Sequence, residues 1–180
     1  TLKISEVRDR AALLRNTFLR DFEAVPGMPS LLTRWAAEPT AIVHYVTASP
    51  WQLYPPLSAF FDKAGYPDGL WHMKPFRLAD RTFFGLFQSP QEYKTATIEP
   101  ILAAYPARRF VLIGDSGERD PEAYGDLGRR YPEQVRLILI RDVTDEPRRA
   151  LRYESAFRDL PEERWIIFTD PSAIPAMPPD

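Results

Sequence analysis

The sequence predicts an α/β domain built on a doubly wound, mostly parallel sheet with helices on both faces. Two observations predict it. Five short apolar runs, AIVHYV (41–46), GLWHM (69–73), RFVLIG (109–114), VRLILI (135–140) and RWIIF (164–168), have the length and near-continuous hydrophobicity of strands buried on both faces. Between them lie segments with helical spacing or helix-start residues, and strand–helix alternation is the pattern of parallel sheets. The 180 residues are 44% hydrophobic, enough for a sizeable core, and no repeat or linker divides them, so residues 1–180 read as a single domain.

Taken in order, ISEVRDRAALLRNTFLRDF (4–22) places Val7, Leu13, Leu14, Phe18 and Phe22 on one face of an amphipathic helix. AIVHYV comes next as the first strand and ends at Thr47. Ser49 then precedes Pro50, a capping side chain ahead of a proline suited to the first helical position. Pro55-Pro56 is expected to break the segment after Ser49 into a short turn and then a helix, PLSAFFDKAG. After the second strand, GLWHM, the stretch FRLADRTFFGLF (76–87) has no helix cap and reads as a hairpin or irregular insertion near 74–90. Ser89-Pro90 opens the next helix, which carries Lys94. The third strand stops at Gly114-Asp115, and Asp120-Pro121 caps and opens the helix PEAYGDLGRRYP (121–132) despite its internal glycines. VRLILI is the fourth strand, DEPRRALRYESAF (145–157) a helix, RWIIF the last strand, and a Pro-rich exit closes the chain near 171–180. His44 and His72 both fall inside strands and read as core or sheet-face residues, not a metal pair.

Composition narrows the function. With 23 basic and 25 acidic residues the formal charge is −2, so no electrostatic argument supports a nucleic-acid partner. The absence of cysteine rules out disulfides and thiolate metal sites and fits a reducing, cytoplasmic compartment. No apolar stretch approaches the roughly 20 residues that span a bilayer, so no transmembrane segment is expected and any membrane contact is peripheral.

In an open α/β sheet, ligands sit at the carboxyl ends of the strands. Three groups gather there. Thr47 offers a hydroxyl for a phosphoryl oxygen, Lys94 an ammonium for a charged intermediate, and Asp115 a carboxylate for a hard divalent cation such as Mg²⁺. Positioning and charge neutralisation are what phosphoryl transfer requires. Each group also has a plainer explanation: Thr47 as a strand end, Lys94 as a solvated helix lysine, Asp120 as a helix start, and Glu118 and Arg119 as loop charges. Asp115 resists one, because a carboxylate directly after a buried strand needs a partner.

A strand ending in Thr, then Lys, then strand–Gly-Asp-x-x-x-x-Asp, resembles motifs two, three and four of the haloacid dehalogenase superfamily. More closely, HYVTASPWQLYPPLSAFF, the lysine of QEYKTATIEPIL, YPARRFVLIGDSGERDPEAY, IRDV and VPGM (25–28) resemble the actin-patch-associated phosphatidate phosphatase family. The resemblance runs from the first residue to Val143. It implies a haloacid dehalogenase-like fold, with Thr47 holding the transferring phosphoryl group and Lys94 stabilising the aspartyl-phosphate. It makes Asp115 a Mg²⁺ ligand and Asp120 its partner. Ser49, beside Thr47, is a candidate substrate contact.

The family's first motif, Asp-x-Asp-Asp-Thr at the end of a central strand, is the departure. The chain opens Thr-Leu-Lys-Ile-Ser-Glu-Val, which resembles the residues immediately after those aspartates, so Thr1 would be the motif's last residue. The nucleophile, the general acid/base and their strand are then expected upstream of residue 1. Without that strand, residues 1–180 are expected to fold poorly and to be inactive alone, because buried strand edges would face a gap.

The resemblance implies a Mg²⁺-dependent hydrolase that converts phosphatidate to diacylglycerol and phosphate at a membrane surface. Phe83, Phe84, Leu86 and Phe87 beside Arg77 and Arg81 would suit acyl chains and anionic head groups. The same phenylalanines would equally suit packing over the sheet. Two other functions stay open: a catalytically inactive phospholipid-binding domain of this fold, and a phosphatase for soluble phosphomonoesters.

Overall fold

The computed structural model describes residue 2, residues 22–75 and residues 90–175. The helix expected over 4–22 (apart from Phe22), the stretch 76–87 with Arg77 and Arg81, Ser89 and the end of the Pro-rich tail lie outside the described residues. All five expected strands form, and the α/β class is borne out. The elements are α1 (Met28–Ala36), β1 (His44–Pro50), α2 (Tyr54–Ala64), β2 (Leu70–Lys74), α3 (Pro90–Ala104), β3 (Phe110–Asp115), α4 (Asp120–Arg130), β4 (Val135–Arg141), α5 (Leu151–Ala156) and β5 (Trp165–Phe168).

β3, β4 and β5 lie side by side and parallel, with Leu112 opposite Ile138, Asp115 opposite Arg141 and Ile140 opposite Ile167. β1 pairs with β2 in a second sheet, and among the described residues no ladder joins the two sheets. β4 explains why this sequence makes a parallel sheet. Ile138 and Ile140 enter a core with Leu112, Leu127, Tyr153 and Trp165, while Leu137 and Leu139, on the alternate face, are buried as completely. A strand buried on both faces needs an unbroken apolar run, and VRLILI is one. Each such side chain contributes about 1.5–3 kcal/mol on burial.

The described residues group into two compact units, one of residues 1–43, 55–70 and 170–180, the other of 44–54 and 71–169. In the first, Phe22 and Phe60 meet at 5.4 Å, Phe61 and Tyr66 at 4.6 Å, and the Tyr66 hydroxyl donates to the Leu2 carbonyl at 2.5 Å. The second unit holds the three-stranded sheet with α3, α4 and α5, and every described candidate site residue.

Several boundaries differ from expectation. β1 runs past Thr47 to Pro50, so Ser49 ends a strand instead of capping a helix. Its N–H and hydroxyl are engaged backwards, with the Thr47 Oγ1 accepting from Ser49 N–H at 3.1 Å and donating to Ser49 Oγ at 3.0 Å. A 3₁₀ turn, Trp51–Leu53, leads to α2, which holds Pro55 and Pro56 in its first turn, where their missing N–H groups are not needed. Asp120 is the first residue of α4 and not its cap; Arg119 holds that position without a side-chain bond. The helix expected over 145–157 is only Leu151–Ala156. Asp145 has φ 58, and Glu146 precedes a proline, which disfavours helical backbone. α1 was not expected: Gly27, at φ 80, and Pro29 open it, and Met28, Leu31, Leu32 and Trp35 form its buried face.

Candidate active site

The site starts from Gly114. A Cβ there would lie 2.5 Å from Asp120 Oδ2 and 2.7 Å from the Tyr124 ring. Only glycine lets the Asp120 carboxylate fold back against the end of β3. From there Asp120 Oδ2 accepts the Asp115 N–H at 3.0 Å, so the two acids of Gly-Asp-x-x-x-x-Asp are joined. The Asp115 Oδ1 in turn accepts the Gly117 N–H at 3.0 Å, a local turn of the kind aspartate favours. Both carboxylates are buried, Asp115 at 9% and Asp120 at 1% exposure.

α3 packs against α4 and brings Lys94 to this pair. Its Nζ binds Asp120 Oδ1 and, at 2.8 Å, Glu118 Oε2. Burial alone would lower the ammonium's pKa. The Asp120 and Glu118 carboxylates bound to it outweigh this and hold the value well above the usual lysine range, so Lys94 stays a cation. Tyr124, buried and with its hydroxyl 3.4 Å from the Ile113 carbonyl, is itself pushed up, first by burial and then by the Asp120 charge, and stays neutral. Glu118 is therefore no idle loop charge. Its partner lies 24 residues away, which sequence order does not reveal.

A further network holds the loop after β3. Ser116, 1% exposed, donates from Oγ to Asp142 Oδ1 at 3.1 Å and accepts the N–H of Val143 at 2.8 Å. The Ser116 N–H donates to the Arg141 carbonyl at 3.0 Å. The motif's serine is thus tied to IRDV, a link that nothing in the spacing of either segment announces.

Of the residues picked from sequence, Lys94, Asp115 and Asp120 come together in one hydrogen-bonded group. Thr47 and Ser49 bond to each other on β1, the strand that α3 packs against. Arg77 and Arg81 lie outside the described residues. His44 and His72 are a strand-to-strand pair, Nδ1 to Nε2 at 2.9 Å with rings stacked at 5.2 Å.

A family model described as the catalytic domain of phosphatidate phosphatase APP1 matches residues 1–142. The chain belongs to that family. An uncharacterized protein of Schizosaccharomyces pombe is 33% identical over 138 residues, 74% of this chain and 21% of that protein. Phosphatidate phosphatase APP1 of Saccharomyces cerevisiae is 30% identical over 135 residues, 74% of this chain and 22% of the yeast protein. The chain spans about a fifth of the length of these relatives. No solved structure matches it. Among the described residues no helix is long and apolar enough to cross a membrane.

The phosphatase family turns attention to a divalent cation. Among the described residues no three acids or histidines gather around one metal position. Mg²⁺, however, is usually held by one or two carboxylates, with water and substrate phosphate completing its shell. Asp115 and Asp120 are hard oxygen donors of that kind. The donor chemistry of this pair fits Mg²⁺.

Proposed function

We propose that this chain forms part of the catalytic domain of a Mg²⁺-dependent phosphatidate phosphatase that hydrolyses its substrate through an aspartyl-phosphate. The observation that carries the reading is the buried Lys94–Asp120–Asp115 group at the carboxyl end of β3. In an α/β sheet that end is where ligands bind. Family membership and the activity named for the Saccharomyces cerevisiae relative supply the substrate. The lipid substrate and the absence of cysteine support work in the cytoplasm, peripheral to a membrane.

Each residue has one task in this reading. The Thr47 hydroxyl orients the phosphoryl group. Lys94, held as a cation by Asp120 and Glu118, neutralises charge that develops on phosphoryl oxygens. Asp115 would hold the metal ion, with Asp120 as the second carboxylate of the site, its charge shared with Lys94. The ion would neutralise phosphoryl charge while substrate and nucleophile are brought together. The nucleophile in this reading is an aspartate of the family's first motif.

The test is phosphate release by the full-length protein from phosphatidate and from a panel of soluble phosphomonoesters, with Mg²⁺ present and after chelation. Expected is chelator-sensitive release with phosphatidate preferred, and a loss of roughly 10²-fold or more in Asp115→Asn. Phosphatidate binding without phosphate release would identify an inactive phospholipid-binding domain. Release from soluble esters alone would place the substrate elsewhere.

A further inference from the structure

Arg152 lies beyond residue 142, where the family match ends, yet its guanidinium grips the acidic loop. Nη1 donates to the Ser116 carbonyl at 2.6 Å, and Nη2 donates to the Glu118 carbonyl. Nε and Nη2 form a fork on Glu122, at 3.0 Å to Oε1 and 3.2 Å to Oε2. A weaker contact reaches Glu146 Oε1 at 3.4 Å.

An exposed arginine–glutamate pair alone would contribute little, typically less than about 1 kcal/mol. Here two of the bonds go to backbone carbonyls on either side of Gly117, the residue whose N–H the Asp115 carboxylate accepts. The fork on Glu122 fixes the same guanidinium to the first turn of α4, the turn that begins with Asp120. One planar group thus sets the spacing between the Asp115 turn and the helix that carries Asp120. Lysine cannot do this, since it has no fixed fork of donors.

We infer that Arg152 is a positioning residue for the cation site, setting the orientation of Asp115 without touching ion or substrate. The inference rests on the proposed Mg²⁺ site. It extends the support of that site to Arg152, beyond the residues that the family match covers.

The test uses the full-length protein with Arg152→Ala and Arg152→Lys, and reads Mn²⁺ binding by electron paramagnetic resonance beside the Mg²⁺ dependence of turnover. Expected is a rise of roughly 10-fold or more in the Mn²⁺ dissociation constant and in the Mg²⁺ needed for half-maximal rate, as for other residues that orient metal ligands. Turnover at saturating Mg²⁺ should change far less, the lysine variant should not rescue, and Glu146→Gln should behave as wild type. If Arg152→Ala fails to fold, Arg152→Lys and Glu122→Gln, which opens the same fork, carry the test. Folded variants with wild-type Mn²⁺ affinity overturn the inference alone. A wild-type protein that binds no Mn²⁺ overturns both the inference and the proposed metal site.

Discussion

Removing the Lys94 ammonium would leave the Asp120 carboxylate, 1% exposed, with the Asp115 N–H still bonded to it but no cation beside it. Breaking a buried pair from one side costs about 3–5 kcal/mol, so Lys94→Met should lower unfolding free energy in urea by about that much. Adding Asp120→Asn to it should restore part of the loss. Gly114→Ala attacks the same group sterically. Its methyl would displace the Asp120 carboxylate, and the proposed phosphatase activity of the full-length protein should fall by about 10-fold or more while the domain still melts cooperatively. Asp115 and Lys94 were legible because each follows a clear strand end or helix start. Glu118 was not, because its meaning depends on a partner brought in by α3.

At the scale of elements, α4 tolerates its internal glycines because they are contact points. A Cβ at Gly125 would lie 2.0 Å from the Ala156 carbonyl oxygen, so α4 and the end of α5 touch backbone to backbone. Gly125→Ala should cost about 1–3 kcal/mol or more, as overpacking does, measured as a lower urea midpoint with an unchanged slope. The pairing of β1 with β2 carries a pH dependence. Burial holds the His44 and His72 pKa values below the ordinary imidazole value, His44 further lowered by His72. The unfolded chain therefore takes up protons first as pH falls through about 6.5, and stability should drop there and level off only below the lowered values. Urea midpoints at about pH 7.5 and about pH 5.5 should show the drop, and His72→Gln should reduce it. The strands were legible because burial on both faces leaves an unbroken apolar signature. The end of β1 and the start of α5 were not, because side-chain bonds at Thr47 and a positive φ at Asp145 decided them.

The whole molecule does not stop where the family match does. Tyr153, Phe157, Trp165 and Phe168 are buried, and β5 closes the sheet against β4. Deleting residues 143–180 from the full-length protein should abolish the cooperative melting of this domain by circular dichroism, not merely remove a tail. The sequence leaves the role of 144–180 open, since no motif there bears on chemistry and its importance is a matter of packing. The serial order of β3, β4 and β5 has a kinetic side too. Each ladder joins residues about 25 positions apart, Phe110 with Val135 and Ile138 with Trp165. Loop-closure entropy rises only with the logarithm of such a distance, so the two closures cost nearly the same. Neither is a bottleneck for the other, and this three-stranded sheet can assemble strand by strand as the chain emerges.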